Sequence, residues 1–405
     1  MSGIFCYGCM KEYSNQSPCS KCGWDNTQES GSHLYIKPGV HINNQYLIGR
    51  VLGHGGFGIT YLAYDLKLKL KLAIKEYLPR EYASRDSSDI TVHVHSGSAK
   101  QEYGYGLDKF LEEAQNVARF QNHPGIVGVL NFFEAHGTAY MVMPYVEGLT
   151  LKEYLNQQPN KCLSYEKTLN IFMPVLDALR EVHSAGLLHR DISPDNIYIT
   201  NSGQVKLLDF GAARFAMGEH SKSLSIVLKP GYSPKEQYSS RGKQGAWTDI
   251  YATAASFYRT ITGSVPLESL DRAEEDDLKW PSELGIAIPA HAEQAFKQAM
   301  AVNAKDRYQS IQEFQQILLE PSNGTSVDNP LESTENNNQV ISQENISKNN
   351  YDASSFQIKT LQKQLIKLGL INCKETGEDD EQTAMHIRVF ERQNGLPVIG
   401  EITES

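Results

Sequence analysis

The sequence predicts an α+β fold within a chain of several domains, and three observations carry the prediction. Apolar strand-like runs flank a glycine loop at residues 46–77. Apolar runs with helical periodicity continue from there to about residue 318. Composition changes on both sides of this region, at residues 1–30 and again at 321–355. A chain of 405 residues exceeds one ordinary core, so two or three domains are expected. The net charge of −10 argues against nucleic acid or an anionic membrane surface as the main partner. No stretch approaches the run of about 18 apolar residues that a membrane span needs. The opening MSGIFCYGCM lacks a basic n-region and an apolar h-region, so the expected compartment is the cytoplasm.

The first element is a cysteine cluster. Four of the six cysteines fall within the first 22 residues, as Cys6-x-x-Cys9 and Cys19-x-x-Cys22, with nine residues between the pairs. Each pair can aim two sulfurs at one ion, with Gly8 and Gly23 easing the turns. Four soft ligands in tetrahedral reach suit a structural Zn²⁺ and leave no open coordination position. Two redox-active pairs, unligated thiols and a rubredoxin-type iron site are the alternatives. The segment 1–30 resembles a zinc ribbon, too short to hold a core without such a staple.

The second element is the glycine loop. YLIGRVLGHGGFGITYLAYD reads strand, loop, strand, with Gly53, Gly55 and Gly58 forming G-x-G-x-x-G. A dinucleotide site would continue from its loop into a helix. Here a strand follows, and then another strand, KLAIKEYL, which carries Lys75. A glycine hairpin followed by a lysine-bearing strand fits a lid over a triphosphate, because glycine leaves the backbone amides open to the phosphates.

These residues, together with HRDISPDN at 189–196 and Asp209-Phe210-Gly211, resemble the eukaryotic-type protein kinase family. The motifs stand in the family's order over residues 46 to about 318. The phrases GGFGITYLA, AIKEYLPREYA and FFEAHGTAYMVMPYVEG look most like the bacterial serine/threonine branch. The resemblance implies a two-lobed protein-kinase fold, flanked by a small zinc ribbon and a small helical C-terminal domain. It implies that Lys75 holds the α- and β-phosphates, oriented by Glu113 rather than its neighbour Glu112. It implies that Asp191 accepts or orients the substrate hydroxyl proton, and that Asn196 and Asp209 hold Mg²⁺ (or Mn²⁺) on ATP. Leu52, Thr60 and Ala73 would close over the base, Met143 would be the gatekeeper, Tyr145 would lie in the hinge, and Tyr198 would lie beneath the base. Pro144 replaces an acid usual at the hinge. Glu236 should pair with Arg307, and Asp249 should anchor the catalytic loop.

One position departs from the family. Serine/threonine kinases usually carry a lysine two residues after the catalytic aspartate, and here that residue is Ser193. Aligning SIVLKPGYSPKEQY on T-P-G-Y-x-P-x-E puts Lys229 where the family has a threonine. The two positions are neighbours in the kinase fold, so the expectation is an exchange: Lys229 supplies the charge and Ser193 the hydroxyl. Arg190 marks a subtype in which a phosphorylated activation loop pairs with the arginine, and Ser221, Ser223 and Ser225 are the candidate acceptors.

From Pro321 to Ser355 the chain holds five acids, one lysine and no aromatic residue except Tyr351, and reads as a flexible linker. FQIKTLQKQLIKLGLI then resumes a helical pattern with Ile358, Leu361, Leu365 and Leu368 on one face. Residues 356–405 resemble the peptidoglycan-binding-like helical domain, with recruitment of a docking partner expected ahead of wall binding. Two functions are carried forward. One is an Mg·ATP-dependent serine/threonine protein kinase that autophosphorylates, acts on protein substrates and signals. The other is a nucleotide-binding pseudokinase scaffold that assembles partners without phosphoryl transfer.

Overall fold

The computed structural model describes residues 5–12, 18–27, 31–86, 89–210, 228–239 and 241–319. Ser221, Ser223, Ser225, the linker and the C-terminal helical region lie outside the described residues. The chain divides into two compact units, Met1–Thr325 and Ser326–Ser405, and all described residues belong to the first.

The N-terminal lobe is an antiparallel sheet of six strands in the order β1-β2-β3-β4-β8-β7. Its strands are β1 (His41–Ile42), β2 (Tyr46–His54), β3 (Gly58–Asp65), β4 (Leu70–Tyr77), β7 (Asn131–Ala135) and β8 (Thr138–Pro144). The sheet thus begins upstream of Tyr46, because His41 pairs with Leu47. Burial alternates along β4: Leu72, Ile74 and Glu76 are buried, while Lys71, Ala73 and Lys75 on the other face are half-buried. That period of two sets the register that puts Lys75 opposite Thr60 and Ala73 opposite Met143.

A small hairpin, β5 (Ala83–Arg85) with β6 (Val92–Val94), is inserted between β4 and the lobe's helix. The helix, α1 (Ala99–Ala118), buries Tyr103, Gly106, Phe110, Glu113, Ala114 and Val117, a stripe at helical spacing. Phe110 meets Tyr77 of β4 at a ring separation of 5.6 Å.

The C-terminal lobe is helical. Helix α2 (Leu151–Asn156) starts on a Thr150–Glu153 capping box. Helices α3 (Tyr165–Ser184) and α4 (Ala246–Thr262) pack together, with Phe172 and Phe257 rings 4.8 Å apart. Almost every residue of α4 is buried. Three of its hydroxyls are satisfied locally, those of Thr253, Ser256 and Thr260 donating to the carbonyls four residues earlier. A three-stranded sheet of β9 (Gly148–Thr150), β10 (Ile197–Thr200) and β11 (Val205–Leu207), in the order β11-β10-β9, lies at the hinge and holds the loop 189–196. Among the described residues, no helix is long and apolar enough to cross a membrane.

Candidate active site

A cavity of about 240 Å³ is lined by Gly53, Gly55, Gly58 and Thr60 of the glycine hairpin. Lys75, Glu113, Asp191, Asn196 and Asp209 close its other sides. Strand β4 aims the Lys75 ammonium between two carboxylates, 2.9 Å from Asp209 Oδ1 and 3.9 Å from Glu113 Oε1. Glu113 is 4% exposed on the inner face of α1, whereas Glu112 is exposed and pairs with Lys109 at 2.6 Å. The geometry therefore separates the two neighbouring acids as the helical periodicity does.

Asp191 is buried, and two hydrogen bonds from the Asn196 amide nitrogen fix it, one to its backbone carbonyl at 2.7 Å and one to Oδ2 at 2.6 Å. Donating both hydrogens leaves the Asn196 carbonyl oxygen as its remaining acceptor. Lys229 reaches into the same loop from the other side of the chain. Its ammonium donates to Ser193 Oγ at 2.7 Å and lies 3.2 Å from Asp191 Oδ1. Ser193 is fully buried, so its hydroxyl would lack a water partner without that lysine. The Lys229 backbone is held in turn: its N–H donates to Ser233 Oγ, and its carbonyl accepts from the N–H groups of Tyr232 and Ser233.

The loop is anchored from beneath. Asp249 of α4, fully buried, accepts from the backbone N–H groups of His189 at 2.9 Å and Arg190 at 2.7 Å, and also contacts His183 Nε2 at 2.8 Å. Burial alone would raise this carboxyl, but the hydrogen bond and charge of His183 with the His189 contacts outweigh it, so it stays below its ordinary value. Burial lowers the His189 imidazole, which donates from Nε2 to the Leu208 carbonyl and lies tilted against the Phe210 ring at 4.7 Å. Arg190 and Asp209 both sit at positive φ, 65° and 45°, the kind of local strain that surrounding contacts must maintain.

Of the expected base-contacting residues, Thr60 lines this cavity, whereas Leu52, Ala73, Met143, Tyr145 and Tyr198 do not. Ala73 of β4 stands opposite the buried Met143 of β8. Leu52 and Tyr145 are half-buried nearby on the strand end and the hinge. The Tyr198 hydroxyl donates to the hinge carbonyl of Val146 at 3.1 Å, tying β10 to the hinge.

Residues 46–322 match the family described as protein kinase domain, and residues 355–405 match the peptidoglycan binding domain family. The chain belongs to the protein kinase family. A solved structure, PpkA-294 in its apo form, is 39% identical, with a TM-score of 0.65, covering 70% of this chain and 99% of its own. The kinase domain of Mycobacterium tuberculosis PknI, at 24% identity and a TM-score of 0.53, covers 70% of this chain and 98% of its own, and shares the fold. Among curated relatives, serine/threonine-protein kinase PknB of Mycobacterium tuberculosis is 29% identical over 306 residues, or 72% of this chain. A probable serine/threonine-protein kinase of Streptomyces coelicolor, SCO3848, is 31% identical over 287 residues, or 67% of this chain. The chain spans 45% of the length of the first and 39% of the second.

Within the kinase domain, Glu236 and Arg307 form a two-pronged buried pair at 2.8 and 3.2 Å, and the guanidinium also donates to the carbonyls of Ala301, Trp247 and Val302. Sequence reasoning missed three ties. Gln237 Nε2 donates to the Arg190 carbonyl at 2.9 Å, joining the end of the activation segment to the catalytic loop. Glu76, next to Lys75 but on the opposite face of β4, is fully buried and pairs with Arg85 of the inserted hairpin and with the Tyr61 hydroxyl. The alternation of β4 was the available signal for Glu76, since the neighbour of a cleft lysine must face the other way.

The third tie is the cysteine segment, which packs on the N-terminal lobe. The sulfurs of Cys6, Cys9, Cys19 and Cys22 lie within 4.8 Å of one another, with Cys6 and Cys22 at 3.6 Å. A backbone N–H from Lys21 lowers the Cys19 thiol to about 7, while burial pushes the Cys6 thiol up to about 12. The expected parts of the two glycines divide. Gly23 takes the left-handed turn at φ 72°, whereas Gly8 makes room for Trp24, whose Cβ would lie 2.3 Å from a side chain there. The left-handed residue of the first knuckle is Met10, at φ 54°.

Proposed function

We propose that the chain is an active serine/threonine protein kinase, transferring the γ-phosphoryl group of Mg·ATP to protein hydroxyls, with Lys229 in place of the missing catalytic-loop lysine. The observation that carries this reading is the Lys229 ammonium, 2.7 Å from Ser193 Oγ and 3.2 Å from Asp191 Oδ1. A chain that had lost its chemistry would have no reason to keep a half-buried cation against the catalytic carboxylate. In this reading Asp191, fixed by Asn196, orients the acceptor hydroxyl and takes its proton. Lys75, flanked by Glu113 and Asp209, binds the α- and β-phosphates. Lys229 offsets charge on the transferring group, and the Ser193 hydroxyl holds it in place.

The Asn196 carboxamide oxygen and the Asp209 carboxylate are hard oxygen donors on one cavity, and they would hold Mg²⁺ or Mn²⁺. The bound ion would neutralise charge on the β- and γ-phosphate oxygens. Leu52, Thr60, Ala73, Met143, Tyr145 and Tyr198 would enclose the base. The test is labelled-phosphate transfer to the chain itself and to a protein acceptor, using wild type, Asp191→Asn, Lys229→Thr and the exchange Ser193→Lys with Lys229→Thr. Activity that fails in the first two variants and partly returns in the exchange supports the reading. Full activity of Lys229→Thr sinks the relocation, and no transfer by wild type sinks the enzyme.

The cysteine cluster is read as a structural zinc site. Four sulfurs about 2.3 Å from one ion stand ~3.8 Å apart, close to the observed 3.6 Å between Cys6 and Cys22. Metal analysis should find about one zinc per chain, and none in Cys6→Ser with Cys22→Ser. Residues 356–405 are read as a recruitment or regulatory module and the kinase as cytoplasmic, since ATP and reduced thiols belong to the same compartment. Pelleting of the chain with purified peptidoglycan would reverse that assignment.

A further inference from the structure

The two cysteine knuckles differ at the residue that follows their second cysteine. In the second knuckle it is Gly23, exposed, at φ 72°. In the first it is Met10, at φ 54°, a backbone region that a side chain enters at a cost. The Met10 N–H still closes the knuckle turn onto the Cys6 carbonyl at 2.7 Å, so a glycine would serve the turn better. What a glycine could not supply is the side chain, which is only 3% exposed.

That side chain is spent on the nucleotide lobe. Met10 forms a buried cluster with Leu47 of β2 and Leu62 of β3, and Leu52 and Tyr145 pack against this cluster. Antiparallel partners share a face, so Leu62, opposite Ala73, stands on the cleft side of the sheet, as does Thr60 opposite Lys75. The knuckle cannot shift away from this contact. The Arg50 N–H donates to the Tyr7 carbonyl at 2.9 Å, and Arg50 Nε donates to the Gly8 carbonyl at 3.0 Å. Any side chain at Gly49 would meet both the Tyr7 carbonyl and the Met10 methyl at 2.4 Å.

We infer that Met10 is a positioning residue for ATP, bracing from the cysteine knuckle the two apolar groups, Leu52 and Tyr145, that form the lip of the base site. The inference rests on the proposal that those two residues contact the base. Without the thioether, the cluster behind the lip keeps Leu47 and Leu62 but loses its third buried member, and the binding-competent arrangement becomes one of several. Nucleotide affinity then falls while the phosphate end, which Met10 does not touch, keeps its geometry.

The test is calorimetric titration of the full chain with Mg·ADP, alongside the KM for ATP and kcat, in wild type, Met10→Leu, Met10→Ala and Met10→Gly. Alanine and glycine should weaken binding about fivefold and raise the KM for ATP to match, with kcat within about twofold of wild type. Leucine, which restores the bulk, should stay within about twofold in affinity. Alanine and glycine differ in backbone strain but not in contact, so they should differ in melting temperature and agree in Kd. A flat Kd across all four proteins overturns the inference, as does a leucine variant as weak as glycine. Should the small variants not fold, Leu62→Val tests the same contact from the sheet side, and an unchanged Kd there also overturns it. Absence of Mg·ADP binding by wild type would remove the nucleotide reading itself, an outcome distinct from a flat series.

Discussion

At one end of the cleft, Lys75, Asp209, Asp191 and Lys229 are charges held in place by other charges, at 2.9 to 3.2 Å. At the other end, Leu52 and Tyr145 are apolar surfaces held by apolar neighbours, with Met10, Leu47 and Leu62 behind them. The difference teaches where each end is vulnerable. Directional groups fail when one partner is removed, because the geometry that each imposes on the other is lost with it. Packed surfaces fail gradually with lost volume. Substitutions at the phosphate end should therefore act on kcat and be large, and those at the base end should act on affinity and be small.

The sharpest form of the contrast is Asp191→Asn. The amide keeps the shape, and its one oxygen can still accept from Lys229, but it cannot take a proton. Phosphoryl transfer should fall by about 10³-fold or more, with Mg·ADP affinity unchanged within about twofold. A variant that retains a tenth of wild-type activity would show that the carboxylate is not the proton acceptor.

Lys229→Thr comes next. Removing one preorganised cation from the transferring group should lower kcat by about 10²- to 10³-fold with little change in the KM for ATP. Placing lysine at position 193 in the same chain should recover part of that loss, because the Cα positions differ while the required charge does not. Equal loss in the single and exchanged variants would mean that Lys229 serves packing rather than charge.

Glu236→Gln tests the support under the phosphate end. Arg307 would keep its three hydrogen bonds to carbonyls and lose the Glu236 carboxylate, in a side chain that is fully buried. Breaking one side of such a pair should cost about 3 kcal/mol of stability, read as a lower melting temperature. A loss of kcat without a loss of stability would instead give the pair a direct catalytic part.

How far the sequence foretold these two ends follows the same division. The phosphate end was legible because its chemistry dictates residue types at set spacings: Asp191 and Asn196 five apart, Lys75 in a strand, a lysine absent at 193 and present at 229. In the proposed reading, each of those side chains does one thing that few residues can do. Glu113 could be told from Glu112 because helical periodicity decides which of two neighbours faces inward. The base end was legible only as a set of apolar residues, since many side chains can cover an adenine. Its bracing by Met10 was not legible at all. That contact joins residues about 40 to 135 positions apart, and nothing in CYGCMK marks the methionine as more than a residue after a cysteine. The pairing of Glu76 with Arg85 was hidden for a related reason. Charges that alternate along a strand read as a solvated face until a hairpin is seen covering them.

The smallest effect should come from Lys71, which gives the comparison its control. Lys71 lies at the base end, where its ammonium pairs with Glu147 at 2.9 Å and sits 5.4 Å above the Tyr145 ring. It resembles Lys75 in strand and in face, four residues earlier on the same side of β4. It differs in surroundings, because the Glu147 carboxylate is 58% exposed and water competes for both partners. The hydrogen bond from Lys71 holds that carboxyl below its ordinary value, yet an exposed pair of this kind returns little free energy. Lys71→Ala should therefore change the KM for ATP by less than about twofold, and added salt should mask even that. If Lys71→Ala weakened nucleotide binding as much as Met10→Gly, the base end would depend on charge after all, and the division between the two ends would fail.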